Sequence, residues 1–313
     1  MFADDAALVA HTEEDLQRLM DCFSKACEDF RLTISLKKTN VMNQDTENVP
    51  DITINNYQLE AVNEFTYLGS TITSDLSMES EINKRIGRAI TTFAKLSARV
   101  WNNNKLTTKT KIGVYRACIL STLLYGSESW TLYSKQEKRL NKFHLRSLRR
   151  ILGIKWTDFV TNNNVLNLAN IPSMYTLLRQ RRLRWLGHVR RMQDGRIPKD
   201  LLYGELAIGK RSRGRPQLRY KDVCKKDMRD LGMNIDDWEE LATDRPKWRR
   251  QLHLNLQKGE EELQRISEQQ RENRKNRQEA PPANTTFRCA QCGRDCRSRI
   301  GLHSHSRRCS NVN

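Results

Sequence analysis

Four residues near the C-terminus have the types and spacing to hold a metal ion. Cys289, Cys292, His305 and Cys309 read C-x2-C-x12-H-x3-C, three thiols and an imidazole suited to tetrahedral Zn2+. His305 and Cys309 lie four positions apart, so a helix presents both on one face. His303 points elsewhere on that helix. Cys22, Cys27, Cys118 and Cys224 are scattered among apolar or helical positions and read as small buried hydrophobes. Without a secretory context, the clustered cysteines suit a metal rather than disulfides.

A second candidate is Asp4-Asp5, an adjacent carboxylate pair beside Ala6-Ala7-Leu8-Val9. Hard cations such as Mg2+ take oxygen ligands of this kind and share them with phosphates. The third signal is charge. Lys and Arg number 55 against 37 Asp and Glu, a formal net charge of +18. Residues 138–155 carry 7 basic and no acidic side chains, and residues 175–222 carry 14 basic and 4 acidic. Together these two stretches hold +17 of the total. Charge clustered this way is the footprint of a polyanion binder. It singles out Arg146, Arg149, Arg150, Arg181, Arg182, Arg184, Arg190 and Arg191, followed by Lys210, Arg211, Arg213 and Arg215 in the run Gly209–Pro216. Arg213-Gly214-Arg215-Pro216 matches the core of a minor-groove AT-hook, or else forms a basic phosphate-binding loop. Trp185, flanked by arginines, is a candidate for base stacking. Trp101, Trp130, Trp156, Trp238 and Trp248 read as core or helix-packing anchors. No P-loop, dinucleotide fingerprint or Ser/Cys–His catalytic arrangement occurs, and no small-molecule substrate is implied.

The elements that must position these residues fall into two classes. Thr12 and Asp15 mark the start of a helix with apolar residues from Leu16 to Phe30 at helical spacing. Val41-Met42 is a short strand, Ile52–Leu59 a hairpin around Asn55-Asn56, and Phe65–Ile72 a strand that bends at Gly69. From Met78 the period becomes helical. One long helix carries Ile82 to Val100, another Ile112 to Leu123, and basic amphipathic helices span Lys138–Leu152 and Tyr175–Met192. Residues 247–279 are almost wholly polar and read as an exposed helix that frays into a linker at Ala280-Pro-Pro. Phe287 and Leu302 supply the small core of a ββα finger, with Cys296 where such fingers usually carry Phe. Arg297 and Arg299, near the start of its helix, are placed to touch nucleic acid. The fold class expected is α+β for about the first 75 residues, mainly α-helical thereafter, with a small ββα zinc finger at the end. No run of ~18 apolar residues spans a membrane, and no basic leader opens the chain. It reads as an intracellular protein, nuclear or cytoplasmic.

The succession Phe2-Ala3-Asp4-Asp5, then Phe30–Met42 with Lys38, then Phe65-Thr-Tyr67-Leu68-Gly69 resembles motifs C, D and E of the reverse transcriptase palm of non-LTR retrotransposons. Trp185-Leu-Gly-His-Val-Arg-Arg-Met192 and Gly214-Arg-Pro216 resemble the tail that follows the thumb in those elements. The resemblance implies that residues 1–75 are a partial palm, 76–135 a thumb, 136–245 a basic helical tail, 246–284 a polar helix and linker, and 285–313 a C2HC finger. It makes Asp4 a catalytic Mg2+ ligand with Asp5 its neighbour, sets Lys38 near nucleotide phosphates, and puts Tyr67, Leu68 and Gly69 at a primer grip. In the family, the fingers and the other metal-binding aspartate of the palm precede this pair. The expectation is therefore a C-terminal fragment of an RNA-directed DNA polymerase, inactive alone, that binds RNA or DNA with Zn2+ in its finger. Mg2+ would enter only if the polymerase site is completed. The rivals are a polymerase whose first half is missing from the gene model and a domesticated zinc-finger nucleic-acid-binding protein.

Overall fold

The computed structural model describes residues 4–44, 50–204, 218–279, 287–296 and 298–309. Its contacts divide the chain into two compact units, Met1–Gly259 and Glu260–Asn313.

The first unit opens with α1 (Glu13–Asp29), whose N-cap Thr12 accepts a hydrogen bond from the Asp15 amide at 3.2 Å. Four short strands follow: β1 (Asn40–Val41), β2 (Thr53–Ile54), β3 (Tyr57–Gln58) and β4 (Glu60–Ala61). β1 pairs with β4 in parallel, and β2 and β3 form a hairpin. Its two-residue turn, Asn55-Asn56, has positive φ at both positions, which suits asparagine and matches the strand twist. Val41, Ile52, Ile54 and Leu59 make a small core under Leu16 and Met20 of α1.

The next segment departs from the sequence expectation. Phe65–Ile72 is not one bent strand but a hairpin, β5 (Glu64–Tyr67) and β6 (Ser70–Thr73), with Leu68-Gly69 as its turn. Leu68 has φ +47° and Gly69 φ +80°. Glycine tolerates this region freely, whereas leucine does not. Neighbours hold the turn in place, as described below.

Helices then dominate: α2 (Glu79–Lys95), α3 (Thr108–Val114), α4 (Ser121–Leu123), α5 (Ser134–Leu152), α6 (Asn162–Ala169), α7 (Met174–Arg190), α8 (Ile197–Tyr203), α9 (Tyr220–Asp230), α10 (Trp238–Thr243) and α11 (Arg245–Glu279). The first predicted long helix ends at Lys95, and a π-helical turn, Ser97–Trp101, carries Trp101 back so that its indole donates to the Phe93 carbonyl at 2.7 Å. A second π-helical turn, Tyr115–Leu120, joins α3 to α4 and buries Tyr115 and Ile119.

Two apolar cores result. One gathers α2 to α6 with Met174 and Leu178 at the start of α7. The other gathers Leu183, Leu186 and Val189 from the rest of α7 with α8 to α10 and Trp248, Leu252 and Leu256 of α11. The first turns of α11 are thus core, not the exposed polar helix expected, because three apolar residues at helical spacing suffice to seat it. Leu254 and Ile266, on other sides of the helix, stay exposed.

Helix α7 serves both cores. Where they meet, Arg182 is 1% exposed and makes a two-pronged pair with Asp227 of α9, at 2.7 and 3.1 Å, with Glu137 of α5 3.5 Å away. Burial opposes the charge on Arg182, but the Asp227 and Glu137 carboxylates more than offset it and raise its pKa. Arg179 adds contacts to Asp227 and Asp230.

The Trp185–Met192 segment turns out to be a packing joint. Leu186 and Val189 are buried, Arg191 donates to the Ala242 carbonyl at 2.7 Å, and Arg190 pairs with Glu239 at 3.5 Å. Gly187 lies against the Trp248 indole, whose N–H donates to the Leu183 carbonyl at 3.1 Å. A Cβ at Gly187 would stand only 2.2–2.9 Å from three atoms of that ring. Gly187→Ala should therefore destabilise the first unit by about 1–3 kcal/mol or prevent its folding. Urea denaturation followed by tryptophan fluorescence checks this, with Gly87→Ala in α2, where a Cβ meets nothing within 4 Å, as the comparison.

His144 of α5 is completely buried. Its Nδ1 lies 2.9 Å from the Tyr115 hydroxyl and its Nε2 3.3 Å from the Pro172 carbonyl, which fits a neutral ring with its proton on Nε2. Burial depresses His144 to about 4. The unfolded chain therefore takes up a proton first, and stability falls as pH drops from about 6.5 toward 4, by on the order of 3 kcal/mol. Above pH 6.5 this contribution is constant. His144→Gln should flatten that acid limb relative to the parent chain in urea titrations run across the same range.

Candidate metal centre and basic surfaces

The second unit ends in a compact ββα arrangement. β7 (Phe287–Arg288) pairs antiparallel with β8 (Asp295–Cys296), and α12 (Arg299–Cys309) follows. The knuckle between the strands is fixed by two backbone bonds: the Cys289 amide donates to Arg294, and the Gly293 amide donates back to Cys289, each at 2.9 Å. Ser298 caps α12, its hydroxyl accepting from the Gly301 amide at 3.0 Å. This construction brings the ligand atoms of Cys289, Cys292, His305 and Cys309 within 4.8 Å of one another. Cys292 Sγ stands 3.0 Å from His305 Nε2. A tetrahedral ion with metal–sulfur bonds of about 2.3 Å keeps its ligands roughly 3.8 Å apart, so the group could close on one metal ion with little movement.

The thiols already differ in their ease of ionisation. Backbone amides of Cys292 and Gln291 lower Cys289 to about 6, and the hydrogen bond with Cys292 raises Cys309 to about 11. His303 is exposed and apart from this group, as expected. Cys296 is buried beneath α12, and its small side chain fills the place of the missing aromatic. Arg299 is exposed at the helix start, while Arg297 lies outside the described residues.

No comparable group forms at the other end of the chain. Asp4 and Asp5 are exposed ahead of α1, and Lys38 is exposed in the turn Leu36–Lys38. Among the described residues the Cys3His group alone clusters three or more potential metal ligands. Among the described residues no third metal-ligating side chain joins Asp4 and Asp5.

Tyr67, Leu68 and Gly69 are positioned by α2. The Gly69 carbonyl accepts from Arg85 at 2.6 Å and from Arg88 at 3.1 Å. Arg85 is buried and paired with Glu81 at 2.7 Å, whose other oxygen accepts the Thr71 amide at 2.7 Å. The Tyr125 ring stacks on the Arg85 guanidinium, and its hydroxyl donates to the Leu68 carbonyl at 3.0 Å.

The predicted basic residues separate into three kinds. Arg182 is enclosed and neutralised by Asp227, so it is a strut rather than a nucleic-acid contact. Arg149, Arg150, Arg181, Arg190 and Arg191 are partly engaged. Arg149 donates to the Val160 carbonyl and Asn162, Arg150 lies over the Phe93 ring, and Arg181 donates to the Leu124 carbonyl. Arg146 and Arg184 are exposed. Lys210, Arg211, Arg213 and Arg215 lie outside the described residues.

Two positive surfaces remain. On α5, Lys138, Lys142, Arg146 and Arg149 line an open groove of about 590 Å³. At the α7–α11 face, partial burial and the like charges of Arg249 and Arg181 lower Arg184, while burial with Arg245 and Arg249 lowers Arg191. Cations that depress one another in this way favour an incoming anion. Sequence reasoning missed Arg245 and Arg249 because residues 223–280 balance at 13 basic and 13 acidic. The local run Arg245-Pro-Lys-Trp-Arg249-Arg250 was the signal available.

Comparison with known proteins gives a consistent picture. An uncharacterized transposon-derived protein of Caenorhabditis elegans is 27% identical over 264 residues, covering 79% of this chain and 92% of the relative. The RNA-directed DNA polymerase from mobile element jockey of Drosophila melanogaster is 26% identical over 166 residues, which is 50% of this chain but 18% of that polymerase. Its counterpart in Drosophila funebris is 24% identical with the same coverage. These relatives support a retrotransposon origin. No protein-family model and no solved structure matches the chain. Among the described residues no helix is long and apolar enough to cross a membrane.

If the Cys3His group holds its ion in solution, stripping the metal from the full chain should erase amide-exchange protection in residues 299–309 and leave α5 and α7 protected. His305→Ala should give the same pattern without a chelator. Protection of α12 that survives both treatments would show that the finger folds without metal.

Proposed function

We propose that this chain corresponds to the C-terminal region of a non-LTR retrotransposon reverse transcriptase and that its own biochemical activity is zinc-dependent binding of RNA or DNA. The observation that carries this reading is the convergence of Cys289, Cys292, His305 and Cys309 on one ββα unit. Three thiols and an imidazole suit Zn2+ over oxygen-seeking cations. The similarity to the jockey polymerases supports the rest, with residues 1–75 as palm, 76–135 as thumb and 136–245 as basic tail. On this assignment the Tyr67–Gly69 turn is the primer grip.

The binding is largely electrostatic. Lys138, Lys142 and Arg146 on α5, Arg184 on α7, and Arg249 on α11 contact phosphates, and Arg299 does so from the finger. A single finger covers about three base pairs, so it positions the protein rather than selecting a sequence. On this assignment Asp4, Asp5 and Lys38 belong to a polymerase site whose chemistry depends on further groups positioned beside them.

The test is a salt series of binding to single-stranded RNA and to duplex DNA, with and without a zinc chelator. Affinity should fall steeply with salt, about one order of slope per phosphate contact, and fall further on chelation. Binding indifferent to both salt and zinc would overturn the reading.

A further inference from the structure

We infer that the turn Trp156–Phe159 is a base-stacking platform that gives the α5 groove a preference for single-stranded nucleic acid. The inference rests on the nucleic-acid reading above and adds the form of the ligand. Trp156 was expected among the packing anchors, yet it is 84% exposed, and Phe159 is 81% exposed. Two large aromatic side chains almost wholly in water, three positions apart around one turn, serve no core.

The turn is nonetheless firmly built. Asp158 accepts the Lys155 amide at 2.7 Å, closing a single 3-10 turn. Phe159 then adopts φ +50°, a left-handed conformation that costs a β-carbon-bearing residue roughly 1–2 kcal/mol. On the far side Arg149 donates to the Val160 carbonyl at 2.8 Å and to Asn162 at 2.9 Å, and Thr161 caps α6. The chain accepts backbone strain to hold an aromatic side chain that it does not bury, which points to a use outside the fold.

Location supplies the ligand class. The groove on α5 is lined by Lys138, Lys142, Arg146 and Arg149, and its wall includes Ile154 and Asn162. Trp156 and Phe159 follow Ile154 and precede Asn162 in the chain, and the Trp156 backbone lies within about 7 Å of Ile154 by chain reach. No acidic residue occurs from 138 to 155. Lys138, Lys142 and Arg146 form one ridge at spacings of four. A cationic track beside unburied aromatic rings fits a strand whose phosphates follow the ridge and whose unpaired bases stack on the rings. Paired bases keep their faces inside the duplex and cannot use such rings.

The test uses the full zinc-loaded chain and fluorescence anisotropy with four labelled 12-mers: oligo(rU), oligo(dT), an abasic strand of equal phosphate number, and a duplex. Trp156→Ala and Phe159→Asn, the latter chosen because asparagine tolerates the left-handed region, should each weaken oligo(rU) or oligo(dT) binding by roughly 5- to 150-fold. Binding of the abasic strand and of the duplex should not change, and the salt slope should stay as in the parent. Trp156→Phe should restore most of the loss, whereas Lys142→Ala should reduce the salt slope on every strand. Unchanged affinity for base-bearing strands, or an equal loss on the abasic strand, would overturn the platform while leaving the nucleic-acid reading intact. Absence of salt-sensitive binding to any of the four would overturn both.

Discussion

The buried pair between Arg182 and Asp227 holds the two helical cores in register. It sits midway along α7, just where that helix stops serving the α2–α6 core and begins serving the α8–α11 core. Both carboxylate oxygens are engaged, so Asp227 is fully used. Pairs of this kind contribute little net stability, since two charges must leave water. What they impose is geometry: with either partner removed, an unmatched charge is stranded inside, at a cost of about 3–5 kcal/mol. Hydrophobic packing on either side could slide. The planar, two-pronged contact cannot, and Glu137 extends it to α5.

A similar arrangement governs the β5–β6 hairpin. Arg85 and Glu81 are one turn apart on α2, and between them they satisfy a carbonyl on one side of the turn and an amide on the other. The unusual backbone of Leu68 is thus set by groups that read main-chain atoms, with Tyr125 closing the third side. The hairpin depends on this helix, because its own sheet has two strands and no apolar layer of its own. In the N-terminal segment, by contrast, a core of four small aliphatic residues under α1 must serve.

Periodicity and spacing made much of this legible. The Thr12 cap, the Asn55-Asn56 hairpin, the apolar stripes of α5 and α7 and the four finger ligands could all be placed, because each depends on residues close in sequence. What could not be read depends on partners far away. Nothing local distinguishes Arg182 from Arg181 or Arg184; only the position of Asp227, 45 residues later, buries one and leaves the others at the surface. Trp248 could be read as a packing anchor from its type, but its socket at Gly187, far away in the chain, could not. Trp156 misled, since composition says that tryptophan packs and only the turn geometry shows that this one does not. The strand with a bend became a hairpin because the second positive φ falls on a leucine, a residue that gives no turn signal.

The double duty of α7 bears on how such a chain can diverge. A helix advances about 100° per residue, so adding or deleting one residue between Leu178 and Leu183 would turn one core's apolar face away while the other stayed in place. Point substitutions along its solvent side leave that phase untouched. Related sequences can therefore drift far in identity here while their alignment through α7 stays free of gaps, and length variation is pushed into the connections on either side. The helix acts as a ruler whose length is constrained more strictly than its composition.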